Sequence, residues 1–135
     1  MANAVYGKAR EKFLNGDIDW ASDNIKCVLV DTATYAVSID TDEFLDDIPA
    51  GERVATSGNL ASKTSTLGVA DAADVTFSSV TGDVSEALVI YKDTGDAETS
   101  PLIAYIDTAT GLPITPNGGD ITITWDSGAN KIFKL

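Results

Sequence analysis

Carboxylates are the one abundant group in this chain that could do chemistry, with 21 Asp and Glu against 9 Lys and Arg and no histidine. Two loops concentrate them. "DTGDAE" brings Asp93, Asp96 and Glu98 together within residues 93–98, and "GDIDWASD" brings Asp17, Asp19 and Asp23 together within 17–23. Calcium takes clustered oxygen ligands, so either loop could hold that ion weakly. Neither carries the EF-hand spacing or the glycine-aspartate repeats of calcium-binding β-solenoids. Solvated turn residues are the preferred reading, with no metal assigned. A glycosidase needs two carboxylates at a fixed separation in a cleft, and this many acids offers no way to choose a pair.

Other reactive types are scarce. The absence of histidine removes the commonest general base and the commonest zinc ligand. Cys27 is the only cysteine and lies in the apolar run "IKCVLVD", so it reads as a buried small hydrophobe that can form no internal disulfide. "NGGD" has neither the Walker lysine nor dinucleotide spacing. Trp20 and Trp125, with Tyr6, Tyr35, Tyr91 and Tyr105, could form a sugar-stacking platform, but spread this widely they read first as core. No cofactor is expected, and the chain is read as a non-enzyme.

The elements that would position any surface follow from pattern. The chain has 135 residues, 44% of them apolar, which suits one domain with a core of its own. Val5, Ala9 and Phe13 step by four, with Tyr6 and Leu14 beside them, which predicts an amphipathic helix in a leader spanning 1–16. Asn3 can cap its start and Gly16 its end. A helix of about 12 residues is marginal alone, so its stripe must dock on its own sheet or on another subunit.

Residues 17–135 read as a single β-sandwich domain. Strands are expected at 24–31, weakly at 33–40, 53–57 and 63–67, and more firmly at 74–80, 86–93, 101–107 and 120–126. "TDEFLDDIPAGE" predicts a helical turn opening at Thr41 with Phe44, Leu45 and Ile48 turned inward. "SGAN" then turns the chain into "KIFKL", read as a last strand that completes the sheet and buries Ile132, Phe133 and Leu135. The fold class is mainly β: an antiparallel β-sandwich or barrel with one N-terminal amphipathic helix.

The net charge of −12 makes nucleic acid an unfavourable partner. No run approaches the ~20 apolar residues that span a bilayer, and the first residues lack a signal peptide's apolar stretch. A soluble protein made in a cytoplasm is expected, with no membrane partner. The leader is the exception to the acidity, carrying Lys8, Arg10 and Lys12 against Glu11 alone.

The stretches "MANAVYGKAREKFLNGDIDWASDNIKCVLVDT", "FLDDIPAGERVATSG" and "EALVIYKDTG…SPLIAYIDTATGLPITPNGGDITITWDSGANKIFKL" give the chain a resemblance to small virion structural proteins of tailed bacteriophages. It runs over essentially the whole chain and is plainest at 13–20, 44–51 and 86–135. The resemblance implies a place on the virion and no catalytic residue. A capsid decoration, or cement, protein is the expected function, with the major capsid protein or other virion proteins as partners and a homo-oligomer, a trimer favoured. A tail or baseplate adaptor, a fibre-attachment module and a carbohydrate-binding receptor module are the alternatives. The expected partner-binding residues lie on the leader. Val5, Ala9 and Phe13 would enter an apolar groove, and Lys8, Arg10 and Lys12 would face acidic groups.

Overall fold

Long unbroken apolar runs build the centre of the fold. In a computed structural model, which describes residues 3–129 and 131–135, strands β2 (Ile25–Val30), β6 (Ala87–Lys92) and β7 (Leu102–Ile106) lie side by side. Two short strands, β1 (Ala4–Val5) and β3 (Arg53–Thr56), complete an antiparallel five-stranded sheet in the order β1-β7-β6-β2-β3. Successive side chains on a strand point to opposite faces. Ala87 through Tyr91 and Leu102 through Ile106 are all buried, so the sheet is covered on both sides. The register sets Cys27 opposite Ile90, Ile90 opposite Ala104 and Ala104 opposite Val5, one row across four strands.

Two smaller ladders supply the second layer. Strand β5 (Val75–Phe77) pairs with β8 (Ile121–Ile123), and β4 (Val69–Ala70) pairs with β9 (Phe133–Lys134). The β5/β8 ladder alternates cleanly: Val75, Phe77, Ile121 and Ile123 are buried, while Thr76 and Thr122 face solvent with their hydroxyls 3.1 Å apart. One buried cluster takes in the large sheet, both ladders and the helix. The result is a mainly β, antiparallel, sandwich-like fold in which the strands close no barrel among the described residues.

Several expectations need correction. Val5 is not helical: it sits in β1, and Tyr6, in extended conformation, is the N-cap of helix α1 (Gly7–Asn15). Asn3 does not cap that helix; its side-chain oxygen accepts the N–H groups of Asp107 and Thr108. Gly16 does end it, in a left-handed conformation with φ 79°, its N–H bonded to Phe13 and that of Asp17 to Lys12. Residues 33–40 form no strand, and of 63–67 only Thr64 makes an isolated bridge, to Asp71. The turn expected from Thr41 is a pair of 3-10 turns, Leu45–Asp47 and Ala50–Glu52, with Leu45 and Ile48 buried and Phe44 half-buried. Asp47 accepts the N–H groups of Glu43 and Phe44, which fixes where the first one starts. The final segment is a paired strand but joins β4 rather than the large sheet, and Leu135 stays exposed. Asn130 of the preceding turn, like Met1 and Ala2 of the leader, lies outside the described residues.

Candidate docking surface beside the N-terminal helix

Helix α1 packs on its own sheet, chiefly on β7. Val5 and Ala9 are buried in the protein's own core, so neither can enter a partner's groove. A polar chain locks the junction between β1 and the helix. The Tyr35 hydroxyl donates to Asp42 at 2.8 Å, which leaves the Tyr6 hydroxyl to donate to Tyr35 at 2.9 Å. Burial pushes both phenols well above the ordinary tyrosine range, and they hold structure as neutral donors. Tyr91 is pushed up to about 12, again mainly by burial.

The basic residues of the leader are partly used at home. Lys12 donates to Glu43 at 2.7 Å and stands 5.1 Å from the centre of the Phe44 ring. Lys8 lies 3.6 Å from Glu11. Arg10 is exposed and has no ion-pair partner among the described residues; it lines a polar cleft of about 350 Å³ with Asn3, Tyr105, Asp126 and Lys131.

Phe13 is the leader residue that reaches a second surface. Its ring is 6.1 Å from that of Phe133, and Phe133 meets Trp20 edge-to-face at 5.3 Å. These three rings, with Ala70, Gly68 and Leu135, line an apolar groove of about 350 Å³. The helix end supplies Phe13, the loop after Gly16 supplies Trp20, the β4/β9 ladder supplies Ala70 and Phe133, and Gly68 and Leu135 flank that ladder. Four large apolar side chains stand exposed among the described residues, Leu14, Leu67, Val84 and Leu135, and of these Leu135 lines the groove. Leu14 is 88% and Leu67 91% exposed, values that leave almost nothing of either side chain in contact with the core.

The backbone under Leu67 is strained. It lies inside the 3-10 segment Thr66–Gly68 at φ 55°, ψ 31°, a left-handed conformation that costs a branched non-glycine residue about 1–2 kcal/mol. Trp20 shows a second local cost, since its buried indole N–H finds no acceptor among the described residues. Asp19 is the one charged residue in the groove lining. Asp17, next to that lining in sequence, has its backbone carbonyl bonded by the Lys92 ammonium at 2.8 Å.

The acidic loops are occupied by turn chemistry. Asp19 accepts the N–H groups of Ala21 and Ser22, and Asp23 accepts that of Asp19 while pairing with Lys92 at 3.2 Å. Asp96 accepts the N–H of Glu98. Lys26, at 2.8 Å, and the Gly95 N–H hold the Asp93 carboxyl below the usual carboxylate range. Among the described residues no three of these side chains gather as a metal site. Cys27 is fully buried and its thiol is pushed far up by burial, which leaves it unreactive. Both tryptophans are buried, so neither offers an open stacking face.

Sequence reasoning pointed to the leader, and of its six expected residues only Phe13 lines this groove. It missed Trp20, Ala70 and Phe133, which come from three distant segments brought together by the β4/β9 pairing and the contact of the Trp20 and Phe133 rings. No protein-family model matches the chain, and no curated protein matches it.

Proposed function

We propose that this protein is a non-enzymatic structural component of a tailed-bacteriophage virion: a capsid decoration protein that binds the assembled shell at many symmetry-related points. The observation that carries the reading is an acidic β-body that keeps an open apolar groove, lined by Phe13, Trp20, Phe133 and Leu135. A decorating protein has to keep a crowded particle exterior soluble and still hold to its substrate. Net negative charge serves the first need. An apolar patch rimmed by polar groups serves the second, and many weak contacts on one particle act together through avidity. The sequence resemblance to virion structural proteins points the same way, and the major capsid protein is the proposed partner, with a trimer as the proposed unit.

Copy number tests the reading. On a calibrated stained gel of purified particles, the 14.1-kDa chain should be present in hundreds of copies per virion. A few to a few dozen copies would instead mark a tail or baseplate adaptor, and absence from the particle would overturn the virion reading. Saturable binding to a glycan would favour the receptor-module alternative.

A further inference from the structure

We propose that the cleft between the outer edge of β1 and strand β9 docks an extended segment of a partner protein, one Asp or Glu side chain of which is held by Arg10 and Lys134. The inference goes beyond the virion reading and does not depend on it. Cations are scarce in this acidic chain, and most are committed. Of the nine, six have a carboxylate or a backbone carbonyl as partner elsewhere. Arg10 and Lys134 are the two with no such partner among the described residues, and both line this one cleft of about 350 Å³. Lys131 joins them in the lining, with the carboxylate of Asp71 at 3.9 Å, the edge of ion-pair range.

Two further features belong to the same cleft. Strand β1 ends its sheet, and Val5 lines the cleft. The Tyr6 N–H bonds the Ile103 carbonyl, and bonding alternates along an antiparallel pair, so the N–H and C=O of Val5 turn away from β7, to the side where no strand follows. Tyr105, only 5% exposed, also lines the cleft, and its hydroxyl has no hydrogen-bond partner among the described residues. Burial first, then Asp107 and Glu86, push its phenol up, which keeps it a neutral donor. An open strand edge pairs with an extended segment, and cations beside it select the side chain that the segment carries. Charge decides the occupant. The lining sets three cations against one carboxylate, Asp126, which accepts the Gly128 N–H at 3.1 Å. That balance suits a single acidic side chain, and the planar Arg10 guanidinium can grip a carboxylate through two N–H groups. A second copy would bring a net charge of −12 against −12, and a nucleic acid a phosphate at every nucleotide, whereas a short segment brings one carboxylate.

The test is an NMR titration of the isotope-labelled intact chain with an end-capped, strand-forming peptide, STVEVTS, and its isosteric control, STVQVTS. STVEVTS should shift the Val5 amide resonance together with the signals of Arg10 and Lys134, and should weaken as salt rises. STVQVTS should bind about tenfold more weakly or worse, as should STVEVTS to the variant Arg10→Gln with Lys134→Gln. Both side chains are exposed and unpaired among the described residues, so the melting temperature of that variant should hold. Lys8→Gln, which removes a cation outside the cleft lining, should bind STVEVTS as the wild type does. Equal affinity for STVEVTS and STVQVTS on the wild type alone would overturn the proposal, whatever the variants do. So would equal affinity of wild type and double variant for STVEVTS, and so would inorganic phosphate binding as tightly as STVEVTS, because the cleft would then be a site for a free anion. A wild-type oligomer, seen by sedimentation equilibrium, that the double variant loses while STVEVTS fails to bind would overturn it in favour of a second copy. The titration contains no particle, so its failure removes the cleft without touching the virion reading, which copy number tests separately.

Discussion

Replacing Phe133 with alanine should be the most informative single change to the fold. The ring is buried, meets Trp20 at 5.3 Å and Phe13 at 6.1 Å, and sits in a strand of two residues. Truncating a buried phenylalanine costs about 3–5 kcal/mol, of which about 0.5–1.5 kcal/mol belongs to each well-placed aromatic pair. Because the ring borders an open groove, part of the space can be refilled by solvent, and the lower end, about 3 kcal/mol, is the expected loss. The β4/β9 ladder has few bonds to resist it, chiefly Ile132 N–H to Ala70 at 3.1 Å and Leu135 N–H to Gly68 at 3.0 Å. A domain of this size has about 5–15 kcal/mol to lose, and near 4 °C per kcal/mol the melting temperature should fall by about 12 °C. Urea titration followed by circular dichroism and tryptophan fluorescence measures it, with Phe133→Leu as the milder partner at roughly 1 kcal/mol. A loss under about 1 kcal/mol for Phe133→Ala would refute the docking of the final strand on the helix and Trp20.

Three further outcomes follow from the same structure. Deleting residues 3–16 removes β1 and α1 and uncovers β7 together with the packing of Val5, Tyr6 and Ala9, so the protein should unfold or aggregate; a soluble product with an unchanged melting temperature would mean that the leader is dispensable. Tyr6→Phe should cost about 1 kcal/mol, and Tyr6→Phe with Tyr35→Phe should be non-additive in a double-mutant cycle, because the two hydroxyls form one chain to Asp42; strict additivity would contradict the network. The Asp93 carboxyl has its folded-state pKa depressed, first by Lys26, so its contribution is present above the unfolded value near 3.9 and is lost as pH falls through the folded one. The stability gap between wild type and Lys26→Met should therefore be level near neutrality and narrow in acid, and a gap that widens in acid would contradict that sign.

The parts of the fold that showed in the sequence are those with long local signals. "CVLV", "ALVIY" and "LIAYI" are uninterrupted apolar runs, and they became the buried strands of the central sheet. Gly16 was legible as a helix stop because a left-handed C-terminus needs its kind of residue. The helix start was not. Val5, Ala9 and Phe13 keep a helical spacing even though Val5 belongs to a strand, and a two-residue strand is too short to show an alternation of its own. The β4/β9 pairing was hidden for a different reason: it joins segments far apart in sequence, and no local pattern carries that register. The groove inherits the difficulty. Gly68 and Ala70 lie at the end of a stretch rich in serine and threonine, and nothing in that stretch reveals that they meet Trp20 and Phe133 in one groove.

Cryo-electron microscopy of particles that carry this protein, subtracted from particles lacking it, tests the central claim most directly. The account predicts difference density repeated over the capsid exterior at symmetry-related positions, each lobe the size of one or a few 14.1-kDa chains, with the Phe13, Trp20 and Phe133 face turned to the shell. Density confined to the tail or baseplate, or no difference at all, would contradict it.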